Sequence, residues 1–90
     1  TRRERVDIDL VAGSKPEHAL YVGECKYRNS FDESEAIATL EHRATLVSGY
    51  ERVHYALFMK GKPSEGTSRK ARERDDLDVV TLEDIYRNVI

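Results

Sequence analysis

The chain has no tryptophan, one cysteine, one methionine, two prolines and two phenylalanines among its 90 residues. A single cysteine excludes an internal disulfide framework and a zinc site built on several cysteines. It also points to a reducing, cytoplasmic setting. No apolar run approaches the roughly 20 residues that span a bilayer, so no membrane partner is expected. Arg2, Arg3 and Arg5 have no apolar segment behind them, so this segment is not expected to be a signal peptide. Neither sign of charge dominates: Lys plus Arg is 15 and Asp plus Glu is 17, a formal net charge of −2. That balance argues against nucleic-acid binding through bulk basicity. There are no internal repeats and no low-complexity segment. What remains is 36% charged and 39% hydrophobic, the composition of one small globular domain rather than a disordered tail. The chain opens on Thr1 with a charged, strand-like segment almost at once, so a piece of a longer protein is expected.

Hydrophobic periodicity gives the element order. Val6, Ile8, Leu10 and Ala12 alternate with polar residues, the period of a half-buried strand. Gly13 to His18 is rich in turn formers, and Ala19 to Tyr27 reads as a second strand, hairpin-paired with the first. Ser30 with Glu33, or equally Asp32 with Glu35, forms a helix-starting capping box. Ala36, Ile37, Leu40, Ala44 and Val47 then recur at helical spacing, to a stop predicted at Gly49. Val53 to Met59 is apolar nearly throughout and predicts a strand covered on both faces. A polar helix over 67–76, a short strand over 78–81 and a closing helix over 82–89 capped by Thr81 complete the chain. The order β-β-α-β-(α)-β-α implies an α/β fold, a mixed sheet flanked by helices.

Three charged residues stand out. Glu24 and Lys26 lie two apart on one strand and so share a face. Asp9 falls opposite Glu24 if the hairpin turns between Pro16 and Glu17, with Cβ atoms about 4.5–5.5 Å apart. Like charges directly opposed destabilise a sheet. The Lys26 ammonium offsets part of that cost, and a hard divalent cation offsets more. Mg²⁺ takes oxygen ligands and is typically held by one or two carboxylates, waters and a substrate phosphate; the backbone carbonyl of Cys25 would complete the protein's share. Such an ion would position and deprotonate a water, and Lys26 would orient that water or neutralise developing charge. The plainer reading is a polar hairpin face with a surface ion pair worth about 0–1 kcal/mol.

Asp-Leu-Val-Ala at 9–12, a loop, then Val-Gly-Glu-Cys-Lys-Tyr at 22–27 resembles the signature of the PD-(D/E)XK nuclease superfamily. Asp9 matches its aspartate, Glu24 its acidic residue and Lys26 its lysine. The segment most resembles the nuclease-like C-terminal domain attached to a family of archaeal and bacterial AAA-type ATPases. The match covers residues 6–27 and, through element order alone, extends to about residue 81. The resemblance implies a restriction-endonuclease-like sheet and Mg²⁺- (or Mn²⁺-) dependent hydrolysis of DNA phosphodiester bonds. It also implies a homodimer for cutting both strands, and an ATPase domain in the same full-length chain. The superfamily core begins with a helix and a further strand that are missing here, and Glu4 is a poor substitute for the acid that helix often carries. The same fold also hosts inactive modules that bind DNA or a partner.

Beyond the triad, Arg28 extends the Lys26 face toward a phosphate. Arg69, Lys70, Arg72 and Arg74 form a basic cluster interrupted by Glu73, Asp75 and Asp76. It is either a solvated helix face or a set of phosphate contacts that would position DNA without reading its sequence. Asp7 is read as solvated and Cys25 as a core thiol. No two of His18, His42 and His54 have zinc-ligand spacing. Tyr21 and Tyr27 are expected to pack against helices. An Asp7-x-Asp9 nucleotide-sugar metal motif would require a different fold.

Overall fold

The computed structural model describes residues 7–14, 16–27 and 30–89, with segments 7–10 and 88–89 as backbone only. The elements are β1 (Asp7–Ser14), β2 (Ala19–Lys26), α1 (Glu33–Thr45), β3 (Arg52–Met59), α2 (Glu65–Glu73), β4 (Leu77–Thr81) and α3 (Leu82–Val89). They follow the predicted order. The four strands form one sheet in the order β1-β2-β3-β4. β1 pairs antiparallel with β2, whereas β2–β3 and β3–β4 are parallel. The fold is therefore α/β, with a mixed sheet and flanking helices.

The hairpin turn fixes the register. Ser14 pairs with Ala19, and the ladder runs to Asp7 opposite Lys26. His18 takes a positive φ of 54°, the left-handed conformation that reverses the chain. Its carbonyl accepts from Glu51 and Arg52 backbone N–H groups at 3.0 and 3.1 Å, and Arg52 Nη2 donates to the Glu17 carbonyl at 2.9 Å. The turn is thereby tied to the start of β3.

Of the two candidate caps, Asp32 starts α1: its Oδ1 accepts from Glu35 N at 3.0 Å. Ala36, Ile37, Leu40 and Ala44 form the buried stripe of α1. They pack on β2 and β3 against Leu20, Val22, Leu57 and Met59, and Leu77 of β4 joins the same cluster. Leu40 and Leu57 are wholly inaccessible to solvent, each contributing about 1.5–3 kcal/mol of burial. The helix ends at Thr45, earlier than the predicted stop at Gly49. The Thr45 hydroxyl donates to the His42 carbonyl at 2.6 Å, competing for a helix acceptor. Leu46 and Val47 are exposed, so no packing would reward another turn.

β3 also departs from its prediction of cover on both faces. Leu57 and Met59 are buried, but His54, Ala56 and Phe58, on the opposite face, are only half-buried. α2 begins two residues earlier than expected because Ser64 Oγ caps it, accepting from Thr67 N at 3.2 Å. α3 starts with a reciprocal capping box. Asp84 N donates to Thr81 Oγ1 at 3.1 Å and Thr81 N to Asp84 Oδ2 at 3.0 Å. No helix among the described residues is long and apolar enough to cross a membrane.

Candidate functional site

β2 carries the centre of the site. Alternation along it aims Leu20, Val22, Glu24 and Lys26 at one face, where α1 covers the first two. Glu24 continues this buried row and is only 3% exposed. An ionised carboxylate there is costly unless charge and hydrogen bonds offset its desolvation. Two cations supply the charge. Lys26 Nζ lies 3.3 Å from Oε2, and Arg43 Nη1, reaching down from α1, lies 3.5 Å from Oε1. The Arg43 contact neutralises without saturating: among the described residues, Glu24 Oε1 is buried and has no hydrogen-bond partner.

Asp9 stands directly opposite Glu24 in the β1–β2 ladder, the pairing that the turn position predicts. The side chain of Asp9 lies outside the described residues. Cys25, between the two charged residues of β2, is half-buried and pairs with Ile8 in the ladder. Among the described residues, no three His, Cys, Asp or Glu side chains gather in a way that would hold a metal ion. The orphaned Oε1 is nevertheless the donor type that Mg²⁺ or Mn²⁺ requires, and the ladder position of Asp9 would add a second carboxylate. The chemistry of the donor set fits a hard divalent cation.

The predicted phosphate contacts that the structure describes lie on α2. Arg28 lies outside the described residues. Arg69, Lys70 and Arg72 are exposed on α2, and Arg72 Nη2 pairs with Glu65 Oε2 at 3.2 Å. Lys70 lines a cavity of about 290 Å³ with Phe31, Asp32, Ser34 and Gly66, where the first turns of α1 and α2 meet. Glu33 closes that junction by accepting from Ser64 N at 3.0 Å. Burial raises its pKa, but bonds from Thr67 and Ser64 outweigh this and hold the carboxyl below its ordinary value.

Arg74 leaves the basic cluster altogether. Its guanidinium donates to both Asp76 carboxylate oxygens and to Glu41 Oε2, and it lies over the Tyr55 ring. Tyr21, expected against a helix, is instead exposed. Its hydroxyl donates to Glu17 Oε1 at 3.2 Å and its ring lies 6.1 Å from that of His54. A larger cleft, about 650 Å³, opens beside these residues at the N-terminal ends of β2 and β3. It contains none of the predicted site residues.

Arg43 is the residue sequence reasoning missed. The available signal was its place beside Ala44 and three residues after Leu40, at the margin of the stripe that faces a sheet carrying a buried acid. The His54–Asp78 pair, 2.8 Å apart across β3 and β4, was also missed; parallel registers of this kind have no local sequence signal.

No family model matches the chain, and no curated protein or solved structure matches it significantly.

Proposed function

We propose that the chain is a metal-dependent nuclease domain of the PD-(D/E)XK type that hydrolyses DNA phosphodiester bonds. One observation carries the reading: a buried glutamate, Glu24, faces the Asp9 position across a hairpin and holds Lys26 at 3.3 Å. Burying an acid beside a like-charged position costs stability and has a reason if both bind a cation. Asp9, Glu24 and the Cys25 carbonyl would hold Mg²⁺ or Mn²⁺, which when bound supplies an activated water and charge stabilisation at the phosphoryl group. Lys26 has a separate task. Ion-paired with Oε2 at 3.3 Å, its ammonium would orient the attacking water or neutralise charge developing on phosphate. Arg28 and the exposed Arg69, Lys70 and Arg72 would contribute phosphate contacts.

The test is plasmid nicking in Mg²⁺ by the wild type, Lys26→Ala and Asp9→Ala. Loss of at least about a hundredfold in both variants is expected. Equal cleavage by all three would sink the assignment.

A second reading has its own support. Arg43, 3.5 Å from Glu24 Oε1, partly fills the role a metal would have. That favours an inactive nuclease-like module that binds DNA or a partner and regulates an attached ATPase. DNA binding retained without any Mn²⁺ binding at millimolar concentration would decide for it.

A further inference from the structure

We infer that Arg43 is a built-in competitor of the divalent cation at Glu24, a positioning residue that sets the affinity of the site for metal. The inference rests on the nuclease-type reading of Asp9 and Glu24 and adds a residue from a different element. Its first support is location. Arg43 comes from the last turn of α1 and is 31% exposed along its side chain, whereas the carboxylate it reaches is 3% exposed. A long, flexible side chain at the rim of a buried acid has room to withdraw toward solvent. The second support is geometry. At 3.5 Å the Nη1–Oε1 contact is an ion pair, yet Oε1 has no hydrogen-bond partner among the described residues. A guanidinium built to hold a carboxylate permanently makes two parallel bonds at 2.7–2.9 Å. The contact here offsets charge and leaves lone pairs open. Lys26 differs: it lies on β2 itself, holds the other oxygen, Oε2, and is 16% exposed.

Division of the two oxygens between the two cations gives each a role. Lys26 stays on Oε2 whether or not metal is bound. Arg43 shields Oε1 in the metal-free chain, lowering the cost of a buried charge, and yields that oxygen to an incoming cation. The affinity observed is therefore the intrinsic one reduced by the work of displacing the guanidinium.

Mn²⁺ binding followed by electron paramagnetic resonance tests this without any cleavage assay. The proteins compared are wild type, Arg43→Gln, Arg43→Met and Glu24→Gln, with folding checked by circular dichroism. A unit positive charge that has withdrawn to about 6 Å from a divalent ion through water still costs that ion about tenfold in affinity. Both Arg43 variants should therefore bind Mn²⁺ about tenfold more tightly than wild type, and Glu24→Gln should lose binding. Arg43→Met keeps an apolar stem on the helix and serves if Arg43→Gln does not fold. Unchanged or weaker Mn²⁺ binding in the folded Arg43 variants, with wild-type binding intact and abolished in Glu24→Gln, would overturn the role of Arg43 and leave the metal site standing. No Mn²⁺ binding by wild type or either Arg43 variant would overturn both.

Discussion

Replacing Arg74 by methionine should destabilise the domain and, if the proposed DNA binding holds, leave that binding unchanged. Arg74 donates through Nε to Asp76 Oδ1 at 2.9 Å, through Nη2 to Asp76 Oδ2 at 3.1 Å and through Nη1 to Glu41 Oε2 at 2.9 Å. Its guanidinium carbon sits 5.6 Å from the centroid of Tyr55. The group thus joins α1, β3 and the segment leading into β4. That segment is structural, because the Asp76 carbonyl accepts from Tyr55 N at 2.7 Å just where β4 begins to pair. Arg74 is 29% exposed and its acidic partners 43% and 44%, so each ion pair is screened and worth about 0.3–1 kcal/mol. The cation–π contact adds about 0.5–1 kcal/mol. Methionine keeps the aliphatic stem, so the expected loss is about 2 kcal/mol. For a domain of this size that lowers Tm by about 8–16 °C. Thermal denaturation followed by circular dichroism measures it, and a cycle with Asp76→Asn should show coupling of about 0.5–1 kcal/mol. A fall of under about 2 °C, or strict additivity with Asp76→Asn, would refute the reasoning. Loss of DNA binding in a folded Arg74→Met would return the residue to the phosphate-contacting set.

Three other outcomes are expected. Gly13→Ala would place a Cβ against the Tyr50 hydroxyl and 2.6 Å from its Cζ, lowering stability by about 1–2 kcal/mol; an unchanged urea midpoint would contradict that contact. Asp76 is held below the usual carboxylate range, first by its bonds from Arg74, and Glu33 by the bonds from Thr67 and Ser64 that outweigh its burial. Their stabilisation is present above the unfolded carboxylate value of about 4 and is lost as pH falls through the lower folded values, so a urea midpoint that rises on acidification would refute it. If Mg²⁺ binds at about 1 mM, 10 mM of the ion should add about 1.4 kcal/mol, raising Tm in wild type but not in Glu24→Gln; equal shifts in both proteins would place the ion elsewhere.

The parts of the fold legible in the sequence were those written in local chemistry. The turn formers at 13–18 fixed the hairpin register, which sets Asp9 opposite Glu24. Capping residues located the starts of α1 and α3. What could not be read depended on packing between distant segments. The stop of α1 at Thr45 reflects Leu46 and Val47 finding nothing to bury against. The ion pair of Arg43 with Glu24 joins residues of a helix and a strand and depends on how α1 docks. Arg74 looked like part of a basic cluster because charge along a sequence does not reveal which acids the fold brings near: Asp76 was a neighbour, but Glu41 lies 33 residues away.

The sheet changes from antiparallel to parallel at β2, and this orders the steps by which the molecule assembles. Asp9 and Glu24 are fifteen residues apart and meet by closing a hairpin, an event of about 1–10 μs. Glu24 meets Leu57, thirty-three positions further on, only after the crossover that carries α1 has brought the strands together, and parallel pairing of that kind is slow. On these timescales the two acidic positions are expected to meet before Arg43 arrives with α1. Until then Lys26, two positions from Glu24 on the same strand, supplies countercharge. On this ordering, Lys26 tempers repulsion in the nascent hairpin, and removing it should slow folding more than it speeds unfolding.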